Sequence, residues 1–298
     1  MLIARLIADP AQNGIGLQAR LDAAMDALAK RGMPVAMAHM LDHAGDVLQL
    51  ALPEGDAGAL GQTLEELFAP CDLLISDADI ATPHLFVSDM DSTMIGQECI
   101  DELADYAGIK LQIAEITERA MQGELDFVSA LNERVALLAG LGESEITRCL
   151  DERIRPMEGA RALVQTLKSK GCKTVLVTGG FHHFADPVAE TLGFDLVVAN
   201  RLEVVDGKLT GGLAGPITDS GVKRATLIEE LSKLGDGAIA LATGDGANDI
   251  PMLEAAHYGI AYHAKPKAKL AANGIIDCGN LTSVLKLLGI PSSEWSGA

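Results

Sequence analysis

The chain has 298 residues, of which 48% are hydrophobic and 22% charged, a composition typical of a globular protein with room for one large or two smaller cores. Its 23 basic and 42 acidic side chains give a net charge of −19, which disfavours binding to nucleic acid or to an anionic membrane. The sequence contains neither a membrane-length apolar run nor a signal-peptide pattern, so we expect a protein that is neither secreted nor membrane-spanning.

The first eighty residues follow the order strand, helix, strand, strand, helix, strand. The order is read from LIARLIA, LQARLDAAMDALAKRG, PVAMAHML, DVLQLAL, LGQTLEELFAP and CDLLISD, with a turn-like DHAGD between the second and third strands. This β-α-β-β-α-β order predicts an α+β ferredoxin-like domain at residues 1–80. In topology alone, it resembles the small amino-acid-binding modules of the ACT type.

Residues 81–298 change to a pattern in which strands and helices alternate. An apolar strand before Asp89 is followed, at about residues 97–155, by helical periodicity with almost no strand signal. Alternation then resumes through KTVLVTG, FHHFADPVAETLG, DLVVAN, VKRATLIEELSKLG, AIALATGD and NDIPMLEAA, with a hairpin that turns at Asp206-Gly207. This pattern predicts a doubly wound, Rossmann-like α/β core with an inserted helical cap.

The five cysteines, which are Cys71, Cys99, Cys149, Cys172 and Cys278, are scattered and form no C-x-x-C pair. A disulfide framework or a zinc site is therefore not expected, and a reducing cytoplasm is the simplest setting. We expect these thiols to be buried as small hydrophobic side chains.

Two carboxylates follow the first core strand one residue apart, in HLFVSDMDSTMIG. Residues i and i+2 of a strand share a face, so Asp89 and Asp91 repel each other unless a cation or a reaction holds them together. Ligands of doubly wound sheets bind beyond the carboxyl ends of the strands, where Thr178-Gly179, Lys223 and the acidic GDGAND are also expected. Asp89 and Asp245 could provide oxygen ligands for Mg²⁺.

The ordered set DMDST, TGG, a lone lysine and GDGAND resembles the four motifs of the haloacid dehalogenase (HAD) superfamily of phosphohydrolases, over about residues 84–280. The resemblance implies that Asp89 is a nucleophile that forms an aspartyl-phosphate, and that Asp91 is the general acid and then the general base. It implies Mg²⁺ as cofactor, held by side-chain oxygens of Asp89 and Asp245 and by the backbone carbonyl of Asp91.

The same resemblance assigns the phosphoryl oxygens to the Thr178 hydroxyl and the Gly179 N–H, with positive charge from Lys223. Thr178 stands where the family often has serine, and it keeps the hydroxyl. Asp249 is expected behind the metal ligands, where it orients Lys223 or a metal-bound water. His182 and His183 are weaker candidates for a base, because Asp91 already fills that role. The earlier D-x-D in SDADI lacks the following Ser-Thr and is expected to be a solvated loop.

The predicted cap carries residues suited to an α-amino acid. A carboxylate at Glu98 could bind an ammonium group, and Arg134 could bind a carboxylate with two parallel hydrogen bonds. Their spacing is similar to that of phosphoserine phosphatases. The resemblance implies that Phe127 shields the site, that Asn248 contacts the phosphate region, and that the substrate is O-phospho-L-serine, a small molecule, in the last step of phosphorylated L-serine biosynthesis.

Two alternatives remain open at this point. The same core could hydrolyse another small phosphomonoester, such as phosphothreonine or a phosphorylated homoserine. Alternatively, the chain could be a catalytically lapsed regulator that senses an amino acid through its first eighty residues, although the intact Asp89, Asp91, Lys223 and Asp245 argue against this. A homodimer is a plausible assembly.

Overall fold

The structure is a computed structural model that describes residues 1–8, 16–41, 44–121 and 124–297. Twelve strands occur in the described residues. They are β1 (Leu2–Ala8), β2 (Met37–Leu41), β3 (Ala44–Leu52), β4 (Cys71–Ser76), β5 (Leu85–Ser88), β6 (Lys173–Phe181), β7 (Leu196–Asn200), β8 (Leu202–Val205), β9 (Lys208–Leu213), β10 (Ala240–Gly244), β11 (Tyr258–Tyr262) and β12 (Gly274–Ile276).

Twelve α-helices connect these strands in the same described ranges. They are α1 (Leu17–Lys30), α2 (Ala57–Phe68), α3 (Cys99–Tyr106), α4 (Lys110–Met121), α5 (Phe127–Ala136), α6 (Glu143–Arg153), α7 (Ala160–Ser169), α8 (His182–Leu192), α9 (Ser220–Ser232), α10 (Ile250–Ala255), α11 (Pro266–Ala271) and α12 (Thr282–Leu287). None of the helices described is both long and apolar enough to cross a membrane.

The N-terminal part has the predicted ferredoxin-like fold. Its strands are antiparallel in the order β2-β3-β1-β4, and α2 packs against α1 and β4. Helix α2 buries Leu60, Leu64 and Phe68 on one face, because residues four apart lie above one another on a helix. Burial of each such side chain stabilises the fold by about 1.5–3 kcal/mol. Of the turn predicted in DHAGD, residues 42 and 43 lie outside the described residues, and β3 begins at Ala44.

The core contains the predicted parallel sheet, in the order β12-β11-β10-β5-β6-β7. Strand β5 illustrates why the strands read as continuous apolar runs. Phe86 faces a hydrophobic cluster that includes α7, α8 and α12, whereas Leu85 and Val87 face a second cluster with α9, α10 and α11. Both faces of the sheet are therefore covered, which confirms the doubly wound architecture.

The helical insertion is present as α3–α6, between β5 and α7. The hairpin β8–β9 forms a separate sheet and turns at Asp206 (φ 52°) and Gly207 (φ 72°), as the sequence predicts. It is hydrogen-bonded to the insertion, because Gly140 N–H donates to the carbonyl of Leu209 at 2.8 Å. The last predicted helix segment before α5 includes residues 122 and 123, which lie outside the described residues.

One feature that the sequence analysis did not predict joins the two parts of the chain. The N-terminal strand β4 pairs antiparallel with β12 of the core, so that ten strands form one sheet. The buried carboxylate of Asp72 in β4 accepts hydrogen bonds from the N–H groups of Asp277, Cys278 and Gly279, which follow β12. The proposed domain boundary at residue 80 therefore lies within a chain whose sheet is continuous.

Cys71, Cys99, Cys149 and Cys172 are buried, and no disulfide links cysteines in the described part of the chain. Cys278 is an exception to the predicted burial, because it lies exposed in the loop after β12. That loop follows a three-residue strand whose place at the seam was not anticipated from the sequence.

Candidate active site

The polar residues of the four motifs meet at the carboxyl edge of the parallel sheet. Strand β5 pairs with β6 only as far as Ser88 and Leu176, so that Asp89 and Thr178 both lie beyond the paired part. Asp245 directly follows β10, the other neighbour of β5. Parallel strands place their carboxyl ends at one edge, which is why residues far apart in sequence converge here.

A cavity of about 220 Å³ lies at this edge, between the sheet and the helical insertion. It is lined by nine of the predicted site residues, namely Asp89, Asp91, Glu98, Phe127, Arg134, Thr178, Gly179, Asp245 and Asn248. The remaining two, Lys223 and Asp249, are buried beneath it. The structure therefore brings the sheet motifs and the cap residues around one shared space.

Lys223 lies on α9, where Asp219 caps the helix by accepting a hydrogen bond from the N–H of Val222. Its ammonium group is 2.7 Å from the Oδ1 atoms of both Asp89 and Asp249. Burial by itself lowers the pKa of Lys223, but the two carboxylates outweigh it and hold that pKa above its ordinary value. Lys223 is thus a charged group fixed next to Asp89, and it is not among the residues that line the cavity.

Asp249 holds both the lysine and the loop that carries Asp245. Its Oδ1 atom accepts from Lys223, and its Oδ2 atom accepts from the N–H groups of Asp245 and Gly246 at 3.1 and 3.0 Å. Gly244 makes this close approach possible, because a Cβ there would lie 2.5 Å from the Asp249 carboxyl carbon. Asp249 therefore contacts Lys223 directly, and its orienting function stays a prediction.

The carboxylates at the cavity floor repel one another. Carboxylate oxygens of Asp89, Asp245 and Asp249 lie within 4.8 Å of each other. Burial, then repulsion from Asp249, raises the pKa of Asp89, and the same two causes raise the pKa of Asp245 to about 6. Burial, followed by the charge of Glu98, raises the pKa of Asp91 to about 7.

These residues fit a divalent cation that prefers oxygen ligands. The Oδ1 atom of Asp91 is buried and has no hydrogen-bond partner among the described residues, and a bound cation would relieve the repulsion around it. Both carboxylate oxygens of Asp249 are occupied by N–H donors, whereas Asp89 has its Oδ2 atom left over, since Oδ1 accepts from Lys223 and from the N–H of Met90. Asp89 and Asp245 are therefore better placed than Asp249 to ligate a metal.

At the end of the paired part of β6, Thr178 is buried and its Oγ1 atom accepts a hydrogen bond of 2.9 Å from the N–H of Gly180. The hydroxyl proton remains available to a ligand in the cavity. Phe127 packs directly against Gly179, because a Cβ on that glycine would lie 3.2 Å from the ring Cζ. The aromatic ring therefore contacts the predicted phosphoryl-binding turn, although Phe127 as a whole residue is 37% exposed.

The cap side of the cavity carries opposite charges. Glu98 lies at the N-terminus of α3, where its Oε1 atom accepts a hydrogen bond of 2.8 Å from Ser92. Arg134 lies on α5 and is half-buried, and its Nε atom donates to the carbonyl of Ala130 at 3.3 Å. Within the described ranges, no carboxylate forms an ion pair with this guanidinium, although it lines the same cavity as four acidic side chains.

Some residues considered from the sequence do not line the cavity, and one residue that lines it was not predicted. His182 bonds Asp186 at 2.8 Å and does not line the cavity, and neither does His183. The SDADI loop is exposed at its acidic residues, as expected. Lys265 does line the cavity, but it was not predicted, because it follows β11, a strand that the sequence analysis did not identify.

Known proteins resemble this chain in sequence and in fold. Phosphoserine phosphatase SerB2 of Mycobacterium tuberculosis is 41% identical over 256 residues, which are 84% of this chain but only 62% of that protein, less than two thirds of its length. The phosphoserine phosphatase of Polaromonas sp. is 43% identical over 223 residues, 70% of this chain and 94% of that protein. A HAD family hydrolase of Salmonella enterica serovar Typhi, t0658, superposes with a TM-score of 0.81 at 28% identity, covering 96% of this chain and 98% of its own.

The family of haloacid dehalogenase-like hydrolases matches residues 86–254, which is more than half of the chain and includes all four motifs. The carboxylates of the sheet edge and residues of the helical insertion line one cavity, and Lys223 is buried beneath it. On this match and this arrangement, the chain belongs to the haloacid dehalogenase-like hydrolase family.

Proposed function

We propose that this chain is a phosphoserine phosphatase, which hydrolyses O-phospho-L-serine to L-serine and phosphate. One observation carries the proposal: a single cavity joins the carboxylates and the Thr178 hydroxyl at the sheet edge to Arg134, which forms no ion pair among the described residues, and to Glu98. An ester of phosphate with an α-amino acid has groups that match both ends. The shared name of the relatives that match this chain supports the same substrate.

Asp89 is the proposed nucleophile. Lys223 and the Met90 N–H hold and orient its carboxylate, and one of its oxygens attacks phosphorus while the bond from phosphorus to the serine oxygen breaks. Asp91 gives its proton to the departing serine oxygen. A pKa of about 7 allows Asp91 to be protonated at neutral pH.

In the second half of the reaction, Asp91 takes a proton from water, and the resulting hydroxide attacks the aspartyl-phosphate. Phosphate leaves and Asp89 is restored as a carboxylate. Thr178 and the Gly179 N–H bind the phosphoryl oxygens throughout. Lys223 keeps Asp89 ionised and stabilises the charge that develops next to it.

The proposed cofactor is Mg²⁺, which would be held by side-chain oxygens of Asp89 and Asp245 and by the backbone carbonyl of Asp91. When bound, it would supply positive charge that polarises the phosphoryl group. The family and the free oxygens of this carboxylate group support a metal, and the choice of Mg²⁺ rests on the preference of that ion for oxygen ligands and phosphate.

The cap residues select the amino acid. Arg134 binds the serine carboxylate with two parallel hydrogen bonds, and Glu98 binds the ammonium group. Phe127 covers the site and excludes water during the first step, and Asn248 contacts the phosphate region.

At the level of the cell, we propose that the reaction is the last step of phosphorylated L-serine biosynthesis in the cytoplasm. We propose two domains: residues 1–80 form a ferredoxin-like, ACT-like unit, and residues 81–298 form the hydrolase core with its cap at about 97–155. A homodimer is the proposed assembly, with no nucleic acid or membrane partner.

The test is a screen of phosphate release from phosphorylated amino acids, with and without Mg²⁺. We expect the highest kcat/KM for O-phospho-L-serine, with a lower value for phosphothreonine, because its extra methyl group must fit beside Phe127. Equal rates on both esters would point to a less specific phosphatase. The absence of Mg²⁺-dependent release from every ester would instead favour the non-catalytic regulator.

A further inference from the structure

The cavity offers few cations to an incoming phosphate. Four carboxylates line it, namely Asp89, Asp91, Glu98 and Asp245, and the chain as a whole carries a net charge of −19. Lys223 is buried and engaged by two carboxylates. Of the described residues that line the cavity, Arg134 and Lys265 are the basic ones, and Arg134 is assigned to the substrate carboxylate.

Lys265 has a fixed backbone and a free side chain. Its N–H donates to the carbonyl of Asp245 at 2.9 Å, and Pro266, which follows it, restricts the Lys265 backbone to its extended conformation. His263 is held at φ 41°, with its ring bonded to the carbonyl of Gly279 at 3.0 Å, which anchors the start of this loop. The Lys265 side chain is exposed, and no carboxylate lies within 4.0 Å of its ammonium group in the described part of the chain.

From these contacts we propose that Lys265 captures the phosphoryl group of the incoming ester at the cavity mouth and guides it to Asp89. The inference rests on the proposed function, since it concerns the same site. An exposed cation on a rigid loop raises the local concentration of a dianion that the acidic exterior otherwise repels. It is an assisting residue for association, because Asp89, Asp91 and Lys223 perform the chemical step.

The experiment compares three variants at low salt. Lys265→Gln removes the charge, Lys265→Arg keeps it, and Lys267→Gln makes the same change in net charge at an exposed lysine two residues away that does not line the cavity. We expect Lys265→Gln to lower kcat/KM for O-phospho-L-serine about tenfold, mainly through KM, with kcat unchanged. Lys265→Arg and Lys267→Gln should stay within about twofold of the unmodified chain.

Salt provides an independent readout. At about 1 M salt the screening length falls to about 3 Å, so the deficit of Lys265→Gln should largely disappear. Equal kcat/KM values and equal salt dependence for Lys265→Gln and Lys267→Gln would overturn the proposal. A fall in kcat with an unchanged KM would also overturn it, because it would move Lys265 into the chemical step.

Calorimetric binding of inorganic phosphate, with Mg²⁺ present, separates this inference from the proposed function. If the unmodified chain does not hydrolyse O-phospho-L-serine, the proposed function fails, but the Lys265 inference is still decided by phosphate affinity. Weaker binding by Lys265→Gln than by Lys267→Gln supports it, and equal binding rejects it.

Discussion

Asp89 is subject to opposing demands at the scale of single residues. The proposed reaction requires an ionised carboxylate, yet burial and the neighbouring Asp249 raise its pKa, and Lys223 is the charged neighbour that lowers it. A carboxylic acid whose pKa is higher in the folded protein than in the unfolded chain costs stability when it is ionised. The proposed nucleophile is therefore held ionised at the expense of stability.

Replacement Asp89→Asn should abolish turnover and stabilise the metal-free protein. The amide keeps the shape of the side chain but cannot attack phosphorus, and it removes one of the repelling charges. We expect at least a thousandfold loss of phosphate release, on the order of other nucleophile losses, and a melting temperature in EDTA raised by about 2–4 °C. The control is Asp79→Asn, an exposed loop residue with the same change of charge. Substantial activity in Asp89→Asn would rule out the nucleophile assignment.

Arg134 can be tested by its geometry as well as its charge. Replacement Arg134→Lys keeps a cation but removes the planar fork that binds a carboxylate with two hydrogen bonds. We expect KM for O-phospho-L-serine to rise about tenfold or more, corresponding to about 1.4 kcal/mol. Phosphoethanolamine, which lacks the carboxylate, is the matched substrate, and its kcat/KM should not change. An equal loss on both substrates would assign Arg134 a structural function instead.

The sequence predicted the positions of Asp89 and Asp245 because each directly follows an apolar strand within a recognisable motif. Parallel strands end at one edge of a sheet, so the two carboxylates could be placed there from the sequence. Lys265 could not, because β11 contains two tyrosines and a glycine, and no motif marks the residue after it. The burial of Lys223 behind Asp89, rather than in the cavity, depended on side-chain packing that spacing does not reveal.

At the scale of elements, the hairpin β8–β9 supports the cap. Beside the bond from Gly140 to Leu209, the N–H of Glu143 donates to the carbonyl of Gly207 at 2.9 Å, so the hairpin is hydrogen-bonded to the loop after α5 and to the first residue of α6. Gly211 lies where this contact is tightest, because a Cβ there would be 3.1 Å from the carbonyl oxygen of Ala136. We infer that cap and hairpin act as one body over the cavity.

Replacement Gly211→Ala should therefore destabilise the protein more than Gly215→Ala. Both glycines have φ near +85°, so both variants carry the same backbone strain, of about 1–2 kcal/mol. Gly215 has nothing within 4 Å of the added Cβ, whereas Gly211 has the cap backbone. We expect urea denaturation to show an additional loss of about 1–3 kcal/mol in Gly211→Ala from overpacking. Equal losses of unfolding free energy in the two variants would show that the hairpin shifts to accept the added methyl group without further destabilisation.

At the scale of the whole molecule, the seam between β4 and β12 makes one sheet out of two predicted units. The sequence indicated each unit, since each has its own periodicity, but not their junction. Strand β12 has three residues, which is too short for a pattern, and its pairing with β4 spans about two hundred residues of chain. The hydrogen bonds of Asp72 could not be predicted either, because a single aspartate in a strand does not indicate that three backbone N–H groups will donate to it.

Because the sheet is shared, we expect the whole chain to unfold in a single transition. We also expect the hydrogen bonds of Asp72 to stabilise the junction between the two parts. Trp295, whose indole N–H donates to the carbonyl of Ile290, reports on the core, while circular dichroism reports on both parts. In the unmodified chain the two urea curves should coincide. Asp72→Ala leaves three partly buried N–H groups without their acceptor and should lower the free energy of unfolding by about 2–4 kcal/mol. The control Asp77→Ala, at an exposed residue just after the same strand, should change it little. Separate transitions in the unmodified chain would show that the N-terminal part folds independently of the core despite the continuous sheet.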